Sequence, residues 1–165
     1  MKAMSASELP DFTIPHAEKI EWMIETNGWA LEASPPVPDS AAPVPAHAYT
    51  IGLPAHIDFP EIIIFGLTPV AANGLLSMVI GALVGGTELP LDAELLGLLD
   101  NGLRCRLAMV PAEQRDHWCP TAVAWYRGSS FGLVQLIYPD RAGVLPYEPG
   151  FDHRLRYAQP VIGQL

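Results

Sequence analysis

The sequence predicts an α+β fold, a single domain with three to four helices packed on a mostly antiparallel sheet of about five strands. Two observations predict it. Apolar patterns along the 165 residues run helix, three strands, two helices, strand, helix, strand, which is neither a regular βαβ alternation nor an all-β order. The strand patterns at residues 48–53 and 61–67 lie close enough to form a hairpin, hence an antiparallel pair. Composition agrees: half the residues are apolar and 16% charged, enough for one domain to bury a core and too apolar for global disorder.

Residues 1–14 read as a flexible tail and residues 15–165 as the domain. Between Pro15 and Asn27, Ile20, Trp22, Met23 and Ile24 alternate with Glu18, Glu21 and Glu25, an amphipathic helix that Asn27-Gly28 would end. Residues 29–33 are a short strand. Residues 34–46 hold five prolines and form an extended loop to which no single conformation is assigned. Residues 61–67 form an apolar run suited to a central strand. Thr68-Pro69 opens the main helix as N-cap and first helical residue, and Gly85-Gly86 closes it. This helix is apolar nearly all round, so it should be covered on most sides. The alternative cover is a dimer seam along Leu75, Met78 and Ala82, which leaves monomer and dimer both open. Residues 91–100 read as a shorter helix. Residues 103–110 alternate as a strand, with Leu103, Cys105, Leu107 and Met109 inward and Arg104 and Arg106 outward. Residues 111–127 read as one helix and 131–138 as the last strand. Asp140 and Gly143 occupy the first and fourth positions of a type I turn.

Charge narrows the function classes. The net charge is −9, which disfavours nucleic acid and anionic membranes as partners. Residues 1–82 hold nine acids and two lysines, and residues 83–165 hold nine acids and all seven arginines. The stretch from Ile62 to Thr87 has no charge and exceeds the roughly 20 residues of a bilayer span. Pro69, Asn73, Ser77 and the glycines within it favour a buried strand followed by a helix. With no apolar segment near Met1, a cytoplasmic protein is expected. Two cysteines do not make a disulfide framework.

No phosphate loop, zinc pair, or nucleophile elbow occurs. Cys105, His117 and Cys119 match no zinc spacing, so no metal is expected, and no cofactor is assigned. Arg104 and Arg106 lie about 7 Å apart on one strand face and suit a phosphate or carboxylate. Their plain alternative is a solvated face paired to acids. His47 and His56 flank a strand where a general base would sit, although partnerless loop histidines are usually surface residues. Asp140, Arg141, Tyr147, Glu148 and Asp152 concentrate more charge than turn chemistry requires, and form either a site or a structural lock. Gln135, polar within an apolar strand, needs hydrogen-bond partners, most simply loop backbone.

Several of these segments together carry a resemblance. Residues 49–53, 60–67, 135–140, 145–150 and 159–163 resemble the bacterial domain-of-unknown-function (DUF) family 4262, over nearly the whole chain from about Ile20 to Gly163. Ala142 and Tyr147 stand where that family often has an acidic residue and a tryptophan. The resemblance implies a soluble, single-domain bacterial protein, and brings no reaction or catalytic residues. A weaker similarity, of Gly52-Leu53 and Pro60-Glu61 with the strand after them, is to suppressor-of-fused-like proteins, whose bacterial members are thought to include immunity proteins.

Two function classes follow. One is a binding module, inhibitor- or immunity-like, for a basic protein partner. The other is a small enzyme, or a flavin- or anionic-ligand-binding domain, with its pocket near residues 138–152 and Arg104 and Arg106 as its anion contacts.

Overall fold

The computed structural model describes residues 15–39 and 41–165; the tail expected at residues 1–14 lies outside them. The chain runs α1 (His16–Asn27), β1 (Ala30–Ser34), β2 (His47–Ile51), α2 (Leu53–Ile57), β3 (Glu61–Phe65), α3 (Pro69–Val84), β4 (Glu94–Leu95), β5 (Cys105–Met109), α4 (Ala112–Trp118), α5 (Pro120–Tyr126) and β6 (Leu133–Ile137). Six strands form one sheet in the order β1-β2-β3-β6-β5-β4. Every pairing is antiparallel except β3 with β6. The fold is α+β, with one strand more than expected.

That sixth strand corrects the sequence reading. Residues 91–100 do not form a helix. Asp92 and Gly97 both take positive φ, which breaks a right-handed helix. The Asp92 N–H donates instead to the Leu107 carbonyl, and Glu94 and Leu95 pair with Arg106 and Cys105. The helix read through residues 111–127 is two. Pro120 has no N–H to continue the ladder and disfavours helical backbone at Cys119, which sits at φ −122°, ψ 55° between α4 and α5. The one-turn helix α2 lies between the strands read at residues 48–53 and 61–67 and takes in Leu53, and Val37 bridges Val44 within the proline-rich loop.

The main helix matches its expected span. Thr68 accepts from the Ala71 N–H, and Pro69 is the first helical residue. Its cover does not match. Ala72, Leu76, Val79 and Ile80 are buried, whereas Val70, Met78 and Val84 are exposed at 84%, 39% and 59%.

Two cores lie on opposite faces of the sheet. Beneath α3, Ala48, Ile62, Ile64, Cys105, Leu107, Val134 and Leu136 pack with Leu76, Val79 and Ile80. On the other face, Tyr49, Ile51, Ile63, Phe65 and Leu133 pack under α1, α4 and α5, through Ile20, Cys119 and Ala122. Further along that second face, Ala108, Ile137 and Leu145 form a smaller cluster with Tyr147 and Val161. No helix among the described residues is long and apolar enough to cross a membrane.

Candidate functional site

Strand alternation sends Cys105 and Leu107 into the α3 core and Arg104 and Arg106 to the opposite face. The chain after β6 folds back over that face. Its turn closes as the sequence predicts, with the Gly143 N–H donating to the Asp140 carbonyl at 3.0 Å. Gln135 then anchors the C-terminal segment. Its amide donates to the Pro160 carbonyl at 2.7 Å and accepts from the N–H groups of Ile162 and Gly163. Loop backbone is thus the partner this buried glutamine required.

Four of the seven predicted residues meet under this cover. Arg104 donates to both Glu148 oxygens, at 2.9 and 2.6 Å, to the Gly143 carbonyl, and to Glu94 at 3.3 Å. Glu148 also accepts from the Leu145 N–H. The Arg104 guanidinium, helped by that N–H, holds the Glu148 carboxyl below its ordinary range. The Arg106 guanidinium lies 5.7 Å from the centre of the Tyr147 ring, and its buried Nε has no hydrogen-bond partner among the described residues. The Tyr147 hydroxyl donates to Glu94. Burial raises the Tyr147 phenol above its usual range. Arg104 therefore has its charge met by two carboxylates rather than held open for an anion.

The other three residues line a separate shallow groove of about 670 Å³, with Ala142, Gly150, Arg154 and Leu155. Asp140 is a backbone clasp: one oxygen accepts from Ala142 and Val144 N–H groups, the other from Asp152 N–H. These bonds, the Val144 one first, hold its carboxyl low. Asp152 caps the short turn His153–Leu155 and pairs with Arg154, which draws its carboxyl down to about 2. Arg141 is exposed at the groove edge.

His47 and His56, the histidines that flank β2, each pack against other parts of the chain. His47 is buried between Phe65 and Trp118, with Nδ1 donating to the Pro45 carbonyl. Burial lowers its pKa. His56 lies over Gly28, where an added Cβ would meet its ring at 2.4 Å. Cys105 and Cys119 are free, buried, and on opposite faces of the sheet; burial pushes the Cys105 thiol up to about 11 and the Cys119 thiol higher still. Among the described residues no three His, Cys, Asp or Glu side chains group as metal ligands.

Sequence reasoning missed two carboxylates. Glu94 was hidden in the expected helix. Glu61 is fully buried and accepts four bonds: from the Thr50 hydroxyl at 2.8 Å, the Gly52 and Leu53 N–H groups at 2.8 and 3.2 Å, and the Tyr126 hydroxyl at 2.5 Å. It ties β2, α2, β3 and α5 at one point. Burial pushes its carboxyl up against these four donors. The available signal was an acid opening a long uncharged run.

The outer face of α1 is different. Glu18, Glu21 and Glu25 are exposed there beside Trp22, which is 64% exposed. At its edge a groove of about 540 Å³ runs between α1 and α5, lined by His16, Ile20, Glu21, Thr121, Trp125 and Arg127 among others.

Comparison with curated proteins and with solved structures finds no match, and nothing in the comparisons carries the similarity to suppressor-of-fused-like proteins. The match that is found spans residues 23–152, which include the Arg104–Glu148 tie, the Asp140 clasp and the Glu61 junction. The chain belongs to the family described as Domain of unknown function (DUF4262).

Proposed function

We propose that the protein is a cytoplasmic, non-catalytic binding module whose partner is a basic protein, in the manner of an inhibitor or immunity protein. One contrast carries the reading. The carboxylates of the 138–152 segment are committed to internal bonds, whereas Glu18, Glu21 and Glu25 stand exposed around a bare tryptophan. Such a face steers a cationic partner by charge and anchors it through an aromatic ring, the residue type over-represented among binding hot spots. Two free, buried cysteines suit a reducing compartment.

The enzyme or flavin alternative draws less support. It needs Arg104 and Arg106 open to an anion, and Arg104 is bonded to Glu94 and Glu148 while Arg106 lies against Tyr147. A colourless purified protein, lacking the flavin absorbance band, removes the flavin form.

The test is affinity capture from the native host at low and moderate salt, with the wild-type chain and with a variant carrying Glu18→Gln, Glu21→Gln, Glu25→Gln and Trp22→Ala. A basic protein captured by the wild type, released by salt and lost with the variant supports the proposal. Capture of no salt-sensitive partner, or equal capture by the variant, overturns it.

A further inference from the structure

We infer that the uncovered face of α3 is a self-association surface, on which a second copy of this chain docks its own α3 in antiparallel fashion. The face is broad. Val70, Gly74, Ser77, Gly81 and Val84 run along it, spaced by four and three residues, which keeps them on one side of a helix. Met78 stands beside the centre of this row. Val70, Met78 and Val84 are exposed at 84%, 39% and 59%, and a Cβ built at Gly74 or Gly81 meets nothing within 4 Å. Among the described residues nothing covers the row.

Charge selects the occupant. The chain carries −9 overall, yet no charged residue lies between Ile62 and Thr87. A cationic partner finds no carboxylate on α3 to pair with, and an anionic membrane is repelled by the acidic surface around it. Two copies of this acidic chain repel wherever their carboxylates meet. They can approach through a face that carries none. The surface is also self-complementary. A two-fold axis near Ser77 and Met78 sets Gly74 of one copy opposite Gly81 of the other, as an isologous contact requires. The glycines let the backbones approach closely, and Met78 fills the space at the axis.

The size of the face sets the strength. A 16-residue helix is about 24 Å long, and one such helix pair falls short of the ~800 Å² per partner of a standard interface. The contact therefore belongs with weak, transient interfaces, and the association should be reversible.

The test is sedimentation velocity on the full chain from about 1 μM to several hundred μM. The proposal expects a reversible monomer–dimer equilibrium, with the dissociation constant raised at least about tenfold in Met78→Glu, because the new charges meet across the axis. Met78 is exposed in the single chain, so the variant should keep the wild-type circular dichroism spectrum. Trp22→Glu, on α1, should leave the equilibrium unchanged. In Ser77→Cys, oxidation should link two chains through the new thiol, since both native cysteines are buried. A wild type that stays monomeric throughout overturns the inference, as does a dimer indifferent to Met78→Glu or one that Ser77→Cys cannot cross-link. Binding of a basic partner at α1 is read separately, so either proposal can fail alone.

Discussion

Glu61 shows how one side chain can hold a junction without a counter-charge. Its four donors come from two hydroxyls and two backbone N–H groups, so removing the acceptor strands several buried donors at once. At about 1–3 kcal/mol for each unsatisfied buried group, Glu61→Ala should cost on the order of 3–5 kcal/mol in urea unfolding. The pH dependence has a definite sign. Because the folded-state pKa lies above the ordinary 4.5, the folded chain holds this proton more tightly than the unfolded chain. The associated stability is present below 4.5 and is lost as pH rises through the folded pKa. Glu61→Gln should remove that decline. Asp140, Glu148 and Asp152 act oppositely: their lowered values give stability that is present above their unfolded pKa values and lost as pH falls through the folded ones. The rise from Asp140, Glu148 and Asp152 at acid pH, and the rise that the lowered His47 pKa gives as pH climbs toward 6.5, are common to both proteins. Unfolding measured from pH 2 to 8 should therefore show the wild type losing stability relative to Glu61→Gln as pH rises above 4.5.

Ile63 is a simpler case at the same scale. It is fully buried in a central strand, on the face opposite α3. Ile63→Ala should cost about 2–5 kcal/mol by lost transfer energy and a residual cavity, measured as a lower urea midpoint.

At the scale of elements, the C-terminal segment behaves as one cover held at few points. Gln135 holds its far end and the Arg104–Glu148 pair holds its near end. Gly163 must approach Ala108 closely, since a Cβ there would lie 2.5 Å from the Ala108 Cβ. Gln135→Leu leaves the Ile162 and Gly163 N–H groups without their acceptor. Hydrogen exchange should then quicken at 159–163 while the β3 amides keep wild-type protection. Arg104→Ala should instead quicken exchange at Leu145, because Glu148 loses the guanidinium that orients it toward that N–H. If the β3 amides lost protection equally in both variants, the segment would be part of the global core rather than a local cover.

At the scale of the whole molecule, the acidic charge divides the surface by use. Carboxylates around β4 and β5 neutralise Arg104, α1 displays Glu18, Glu21 and Glu25 exposed, and α3 has none. Partner capture through α1 should weaken steeply with salt, since exposed charges act within a Debye length of about 10 Å at 0.1 M. The α3 association should be indifferent to salt or strengthen as mutual repulsion is screened. Sedimentation at 50 and 500 mM salt separates the two surfaces by the sign of the response.

Local chemistry was enough to predict much of this protein. The period of the apolar residues and the Thr68-Pro69 start determined α3. The Asp140 and Gly143 positions determined the turn, and strand alternation put Arg104 and Arg106 on one face. The glycine within residues 91–100 and the proline at 120 were legible breakers whose weight against apolar periodicity only the folded chain decided. Arg104, Arg106, Tyr147 and Glu148 were named from their residue types, but a sequence does not say whether a carboxylate meets a partner inside the molecule or outside it. Tertiary structure decided that when the segment after β6 crossed over β5 and bonded Glu148 to Arg104. It decided the role of Glu61 in the same way, by bringing together donors from segments distant in the chain. Local patterns depend on neighbours a few residues apart, whereas the fate of a charge depends on which remote group the topology sets beside it.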